Sequence, residues 1–239
     1  MRQTIRVSLC MLWMSTVTVS HSGAYEIMTV HAGGSIAGTV KFHGTRPTPE
    51  PVDISKDQDV CGKTEKVNET LILGDNQGIR NVVVSLVNVQ QGKPFSSNSA
   101  ILEQKDCQYT PHILLVPVGG EVSILNTDGI LHNIHTYSDK NPTVNKAQPK
   151  FKRMIKEKFT APEIIKVTCD AHAWMSGWLV IEDHPYYTVT DATGRFVLEE
   201  VPPGEYDLKI WHEAFKEKVQ PIQVLPEKSS EIAVELAMP

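Results

Sequence analysis

Val167-Thr-Cys-Asp-Ala-His-Ala-Trp-Met-Ser-Gly-Trp178 places a thiol, an imidazole and a thioether within seven residues, at Cys169, His172 and Met175. The residues leading into it, Ile164-Ile-Lys-Val-Thr-Cys169, read as a strand. Ile165, Val167 and Cys169 share a parity and point to one side, into a core. A sulfur delivered from a strand end into an apolar interior, with a His and a Met on the following loop, suits one soft metal ion. A trigonal set of two imidazoles and one thiolate, with a weak axial thioether, is what blue-copper electron-transfer sites use. The stretch holds one His, so a second must come from elsewhere, and Asn126-Thr-Asp-Gly-Ile-Leu-His-Asn-Ile-His135 offers it.

Around this stretch the chain reads as short β segments: Ser35 to Phe42, Val82 to Val89, Ile113 to Val118, Glu121 to Asn126, Ile164 to Cys169 and Trp178 to Glu182. Fifteen Gly and fifteen Pro punctuate them, no long stretch repeats at helical spacing, and an all-β sandwich architecture follows. Gln148 to Lys158 fits either a short helix or a strand. The cations Lys146, Lys150, Lys152, Arg153, Lys156 and Lys158 cluster there, which reads as a solvated face, with docking of an acidic partner as the rival.

Met1 to about Ala24 has the form of a secretory signal peptide: Arg2 and Arg6, an apolar run from Val7 to Val19, then Ser22-Gly-Ala24. The run is shorter than the ~20 residues that span a bilayer, so the mature chain is expected to have no membrane span and to be periplasmic or secreted. The net charge of −5 grows more negative once the two arginines leave, which argues against nucleic acid as a partner. Removal of Cys10 leaves Cys61, Cys107 and Cys169. An odd count in an exported chain implies one pair and one thiol kept for other chemistry. With Cys169 assigned to a metal, Cys61 and Cys107 form the disulfide; the alternative pairs Cys169 with one of them and removes the metal site.

In the tail, Asp191-Ala-Thr-Gly194 turns the chain into alternating Phe196 and Leu198, and Pro202-Pro-Gly204 turns it again into Tyr206, Leu208 and Ile210. This resembles the second half of a carboxypeptidase-regulatory-like, transthyretin-type sandwich, and Gly34-Ser-Ile-Ala-Gly-Thr-Val-Lys-Phe42 with Asn81-Val-Val-Val-Ser-Leu86 resembles its first strands. The expected arrangement is one discontinuous module, residues 25–93 with 185–239, around an insert of residues 94–184. The competing arrangement is two sequential domains behind an N-terminal extension.

Ile101 to His135, with its Val-Gly turn and Leu131-His-Asn-Ile-His135, together with Cys169-Asp-Ala-His-Ala-Trp-Met175, closely resembles a cupredoxin of the amicyanin, plastocyanin and pseudoazurin kind. The resemblance implies a Greek-key sandwich with one type 1 copper held by His132, Cys169, His172 and Met175. It implies that Asn133 ties the two ligand loops together, and that His172 lies at an exposed apolar surface where electrons enter or leave. Ala171, Ala173, Trp174 and Trp178 are expected to exclude water. His135 is expected on the same side as His132, as a packed or hydrogen-bonded residue rather than a ligand. His112 is expected to cap a strand, with a second metal as the rival. No catalytic residue is assigned. The Cys169 setting is not that of an activated thiol nucleophile, Met is a poor zinc ligand, and multicopper or binuclear sites need more His or a second Cys. The implied function is one-electron transfer with a redox protein such as a cytochrome or dehydrogenase. The alternative is a scaffold that binds a glycan or protein through Trp211, Tyr186, Tyr187 or Tyr206, in which copper is structural, stored or absent.

Overall fold

Glu121-Val-Ser-Ile-Leu-Asn126 buries every second residue, the pattern of a strand with one face on a core. The computed structural model describes residues 24–97, 99–215 and 217–238, and residues 1–23, nearly all of the expected signal peptide, lie outside the described residues. The strands in chain order are β1 (Glu26–Ile27), β2 (Gly34–Phe42), β3 (Val83–Val87), β4 (Gln91–Gly92), β5 (Ser99–Lys105), β6 (Gln108–Thr110), β7 (Ile113–Pro117), β8 (Glu121–Asn126) and β9 (His132–Tyr137). They continue with β10 (Asn145–Gln148), β11 (Met154–Lys158), β12 (Glu163–Thr168), β13 (Ser176–Glu182), β14 (Tyr187–Val189), β15 (Arg195–Val201), β16 (Gly204–Trp211), β17 (Lys218–Val224) and β18 (Ser229–Leu236). The one described helix, α1 (Gln58–Cys61), is a single turn. No helix among the described residues is long and apolar enough to cross a membrane.

Two sheets, ordered β10-β9-β12-β13-β7 and β11-β8-β5-β6, enclose one core, which contains Leu102, Val122, Ile124, Ile134, Ile165 and Leu179. Two more, β14-β3-β16-β17 and β15-β2-β18, enclose the other, around Ile36, Val40, Val84, Leu86, Leu208 and Ile210. The second sandwich draws on both ends of the chain. β2 pairs antiparallel with β15 and parallel with β18, and β3 lies between β14 and β16. All strands of the first sandwich fall between β4 and β14 in sequence. The stretch from Gln148 to Lys158, open to helix or strand on sequence, forms the end of β10, a loop and β11.

Two strands depart from simple alternation. β3, Val83-Val-Ser-Leu-Val87, and β13, Ser176-Gly-Trp-Leu-Val-Ile-Glu182, are buried on both faces for most of their length, as expected where a sheet is covered on both sides. The cover is the other sandwich. Val83, Ile113 and Val180 form a small shared cluster with Trp178 and Trp211 against it. The two indole rings meet edge to face, with centroids 5.0 Å apart, a geometry worth about 0.5–1.5 kcal/mol beyond its buried area. The nearby Lys209–Glu182 pair, at 3.7 Å and partly exposed, adds at most ~1 kcal/mol. Apolar contact therefore outweighs this exposed pair at the join. His112, expected to cap a strand, immediately precedes β7; it is buried, and its ring reaches across to Glu213 of the second sandwich.

The Asp191-Ala-Thr-Gly194 turn is set by Asp191, whose Oδ1 accepts from the Thr193 and Arg195 amides. Gly194 has φ +77°, and a Cβ there would run into the Val40 carbonyl oxygen. Gly194→Ala combines left-handed strain with that clash and is expected to cost about 1–3 kcal/mol. Urea unfolding of the metal-free protein measures it, and an unchanged midpoint would contradict this account of the turn.

Candidate metal centre

β12 runs between β9 and β13 in one sheet, and this adjacency brings the two candidate ligand segments together. His132 opens β9 and Cys169 follows the last residue of β12, while Lys166, Val167 and Thr168 pair with Tyr137, Thr136 and His135. From Cys169 the backbone closes on itself: the His172 amide donates to the Cys169 carbonyl, the Met175 amide to the His172 carbonyl, and the Cys169 amide back to the Met175 carbonyl. That tight loop returns the His172 ring to the sulfur and buries Met175 at its far end. All four side chains are buried, none more than 1% exposed.

The donor atoms face one another. His132 Nδ1 and His172 Nδ1 are 3.0 Å apart, and Cys169 Sγ lies 3.9 Å from the first and 3.7 Å from the second. A point equidistant from the three is roughly 2.1 Å from each, within the bond lengths of about 2.0–2.3 Å that imidazole nitrogen and thiolate sulfur make to a transition metal such as zinc. Among the described residues Cys169 is the free cysteine. Cys61 and Cys107 are joined in a disulfide.

The far sides of both rings are held by carboxylates. His132 Nε2 is 2.8 Å from Asp128 Oδ2 and His172 Nε2 is 2.8 Å from Asp57 Oδ2. Asp128 is itself fixed, accepting from the Asp106 and Cys107 amides at 2.6 and 2.8 Å. With each Nε2 donating to a carboxylate, each Nδ1 is left to face the sulfur. A hydrogen bond between two Nδ1 atoms needs a proton on one, and the opposite shifts of the two rings favour His132 as the donor. Burial pulls the His132 pKa down, but the bonds to Asp128 and Cys169 outweigh that and raise it to about 9. Burial and the neighbouring His132 charge lower that of His172, against the pull of Asp57. Burial raises the Cys169 thiol, but the bond to His132 and the Asn133 and Ala171 amides bring it below the ordinary cysteine value. The metal-free pocket thus favours a thiolate beside an imidazolium.

Asn133 spans the two ligand segments. Its amide donates to Cys169 Sγ at 3.5 Å, its Oδ1 accepts from the Asp170 amide, and its Nδ2 bonds Asp170 Oδ2 and Asn145 Oδ1 at 3.1 and 3.0 Å. Beneath the site the buried Tyr109 hydroxyl lies 2.6 Å from the Asn133 carbonyl and 2.9 Å from that of Thr168, so it can donate to either strand. Burial, then the Cys169 and Asp170 charges, hold its pKa well above the ordinary tyrosine value.

Several expectations are corrected. His172 is not at an exposed surface: it is fully buried beneath the segment carrying α1, with Asp57 on its edge and the Trp174 ring 5.1 Å away. That segment belongs to the N-terminal part of the chain, yet Ile54, Val60 and Cys61 pack on the first sandwich's core. Of the four residues expected to exclude water, Ala171 and Trp174 pack against that core, Ala173 is exposed and Trp178 lies at the join with the second sandwich. His135, an odd number of strand positions from His132, falls on the opposite face of β9 rather than the same one, where it bonds Asp170 and stacks on Tyr137. Neither His112 nor His135 joins a metal-suited group among the described residues. A third such group, Glu182, Asp183 and His184, has both imidazole nitrogens engaged, by the Leu86 carbonyl and the Tyr186 amide.

Asp57, Asp128 and Tyr109 were not found from sequence. Asp128 sits in a Thr-Asp-Gly turn and reads there as a turn residue. Asp57 stands 115 positions from its histidine, with no local pattern to connect them.

A family model described as "Carboxypeptidase regulatory-like domain" matches residues 179–237, a span that leaves out β2 and β3, which the second sandwich takes from earlier in the chain. Among solved structures, the chain is similar to a reduced copper(I) form of an amicyanin mutant at 20% identity, over 37% of this chain and 97% of that one, with a TM-score of 0.32. It is also similar to a purple cupredoxin from Nitrosopumilus maritimus at 21% identity, over 35% and 98% of the two chains, TM-score 0.30. A copper-containing nitrite reductase from Thermus scotoductus matches at 20% identity over 38% of this chain, TM-score 0.31, and the match spans about a quarter of that enzyme, 24%. No curated protein compared with the chain matches it. The all-β class holds for the described residues, and the two likenesses expected from the sequence, to a cupredoxin and to a carboxypeptidase regulatory-like domain, both recur among these matches.

The disulfide fastens the α1 segment to the β5–β6 turn across 46 residues. Replacing both cysteines, Cys61→Ser with Cys107→Ser, is expected to cost about 2–4 kcal/mol. Chemical denaturation of the metal-free protein reads this; a loss under 1 kcal/mol would mean that packing alone holds the segment.

Proposed function

We propose that the chain is an exported one-electron carrier holding a single copper ion on His132, Cys169, His172 and Met175. The observation that carries this reading is the triangle of Nδ1, Nδ1 and Sγ atoms, all buried and spaced for one ion. Its chemistry is that of a soft site, a thiolate and two imidazoles with a thioether on the same loop. Copper, when bound, supplies a reversible one-electron change.

The protein's part is to hold its donors still. Electron exchange is fastest where little moves, and here the ligands come from two segments bridged by Asn133 and braced by Tyr109. Leu102, Ile134, Ile165 and Leu179 in the core behind them and Trp174 beside His172 keep water away and the local dielectric low. Burial of all four side chains suits exchange with a redox protein, such as a cytochrome or dehydrogenase, rather than binding of a substrate at the metal; the chain is read as a carrier and not an enzyme. In this reading it consists of two nested modules, residues 94–184 inserted between 25–93 and 185–239.

The scaffold alternative draws little support from its aromatics. Tyr186 is buried with its hydroxyl accepting from the Lys93 amide and near the Glu200 carbonyl, and Trp211 packs on Trp178.

Purified protein given one equivalent of copper(II) is expected to turn intensely blue through thiolate-to-copper charge transfer and to show a reversible one-electron potential. Cys169→Ser should abolish the colour and Met175→Leu should keep it. A colourless wild type that retains no copper would end this reading.

A further inference from the structure

We propose that Asp57 is a positioning residue for the metal centre: by holding His172 Nε2 it fixes the ring and favours the oxidised state of the bound ion. This inference rests on the copper reading above and deepens it.

Asp57 is set up for this contact at the expense of a local one. It occupies the N-cap position of α1, where an aspartate ordinarily accepts a bond from the first helical amides. Here it makes no side-chain cap bond and sits in the left-handed region, at φ 48° and ψ 43°, a conformation uncommon for a residue with a side chain. Its carboxylate is turned instead to His172, at 2.8 Å.

The segment that presents Asp57 is anchored without any help from that bond. Cys61 is tied to Cys107, and Ile54 and Val60 pack on the first sandwich's core. The Lys66 ammonium donates to the Cys61 carbonyl, and the Val52 amide to the Lys66 carbonyl. Asp57 therefore meets the histidine as part of a preformed cover.

The opposite histidine is treated alike. Asp128 grips His132 and is gripped by the Cys107 amide, so the disulfide stands between the two carboxylates that hold the ligand rings. A carboxylate on the far nitrogen orients a ligating imidazole and raises its basicity. A stronger donor with a net negative charge behind it stabilises copper(II) over copper(I).

Asp59 provides the control. It lies two residues on, is exposed as Asp57 also is, and ends in the same carboxylate, but it does not bond either histidine of the site. Reduction potentials of copper-loaded wild type, Asp57→Asn and Asp59→Asn separate contact from through-space charge. Asp57→Asn is expected to favour copper(I) about tenfold more than wild type, a rise of about 59 mV for one electron, with Asp59→Asn well below that. A shift in Asp57→Asn no larger than in Asp59→Asn overturns the proposal. Metal-free protein gives a second reading that does not depend on copper. The His172 Nε2 proton is expected as a slowly exchanging downfield resonance in wild type and Asp59→Asn, and lost to fast exchange in Asp57→Ala. Its persistence in Asp57→Ala, or its absence from wild type, would also overturn the proposal. Should wild type bind no copper, the carrier reading falls and this resonance alone decides the role of Asp57.

Discussion

A buried imidazole has two nitrogens, and fixing one of them decides what the other can do. In this protein Asp128 and Asp57 take the outer nitrogens of His132 and His172, leaving both inner nitrogens aimed at the Cys169 sulfur. Much else serves that arrangement. The β9–β12 pairing sets the separation of the two ligand segments, the self-bonded Cys169–Met175 loop returns His172 to the pocket, and Asn133 locks one segment to the other. Without the carboxylates the rings could turn, and the same three donors would no longer define one point in space.

Burial of charge makes the arrangement demanding. A thiolate and an imidazolium in a low-dielectric interior are costly unless paired and hydrogen-bonded. Both conditions are met in the metal-free protein: Cys169 has His132 and the Asn133 amide, and His132 has Asp128. The negative groups around the pocket, Cys169, Asp57 and Asp128, are what a cation with two or one positive charges would compensate.

The part of the site carried by short-range pattern was legible in the sequence. Cys169, His172 and Met175 declare themselves by spacing at a strand end, and β15 and β16 by the alternation of Phe196 with Leu198 and of Tyr206 with Leu208 and Ile210. What depended on distant chain was not. The exposure expected for His172 fails because a segment more than a hundred residues earlier covers it, and Trp178 does not shield the candidate site because β13 has a second apolar face against the other sandwich. His135 lies on the face opposite His132 because an odd step along a strand reverses the side. The cysteine count pointed to Cys61 and Cys107 as a pair, but nothing in it indicated that the bridge would sit between the two histidine-holding carboxylates.

The position of β2 between β15 and β18 also imposes an order in time. As the chain is made from its N-terminus, β2 and β3 emerge long before the strands they pair with. Every strand of the first sandwich is present before β14 appears. The first sandwich can therefore close while β2 and β3 are still unpaired, and the second cannot be completed until Leu236 has arrived to lie beside Phe42. Domains tend to fold as units in the order of their synthesis; here the unit finished first is the one in the middle.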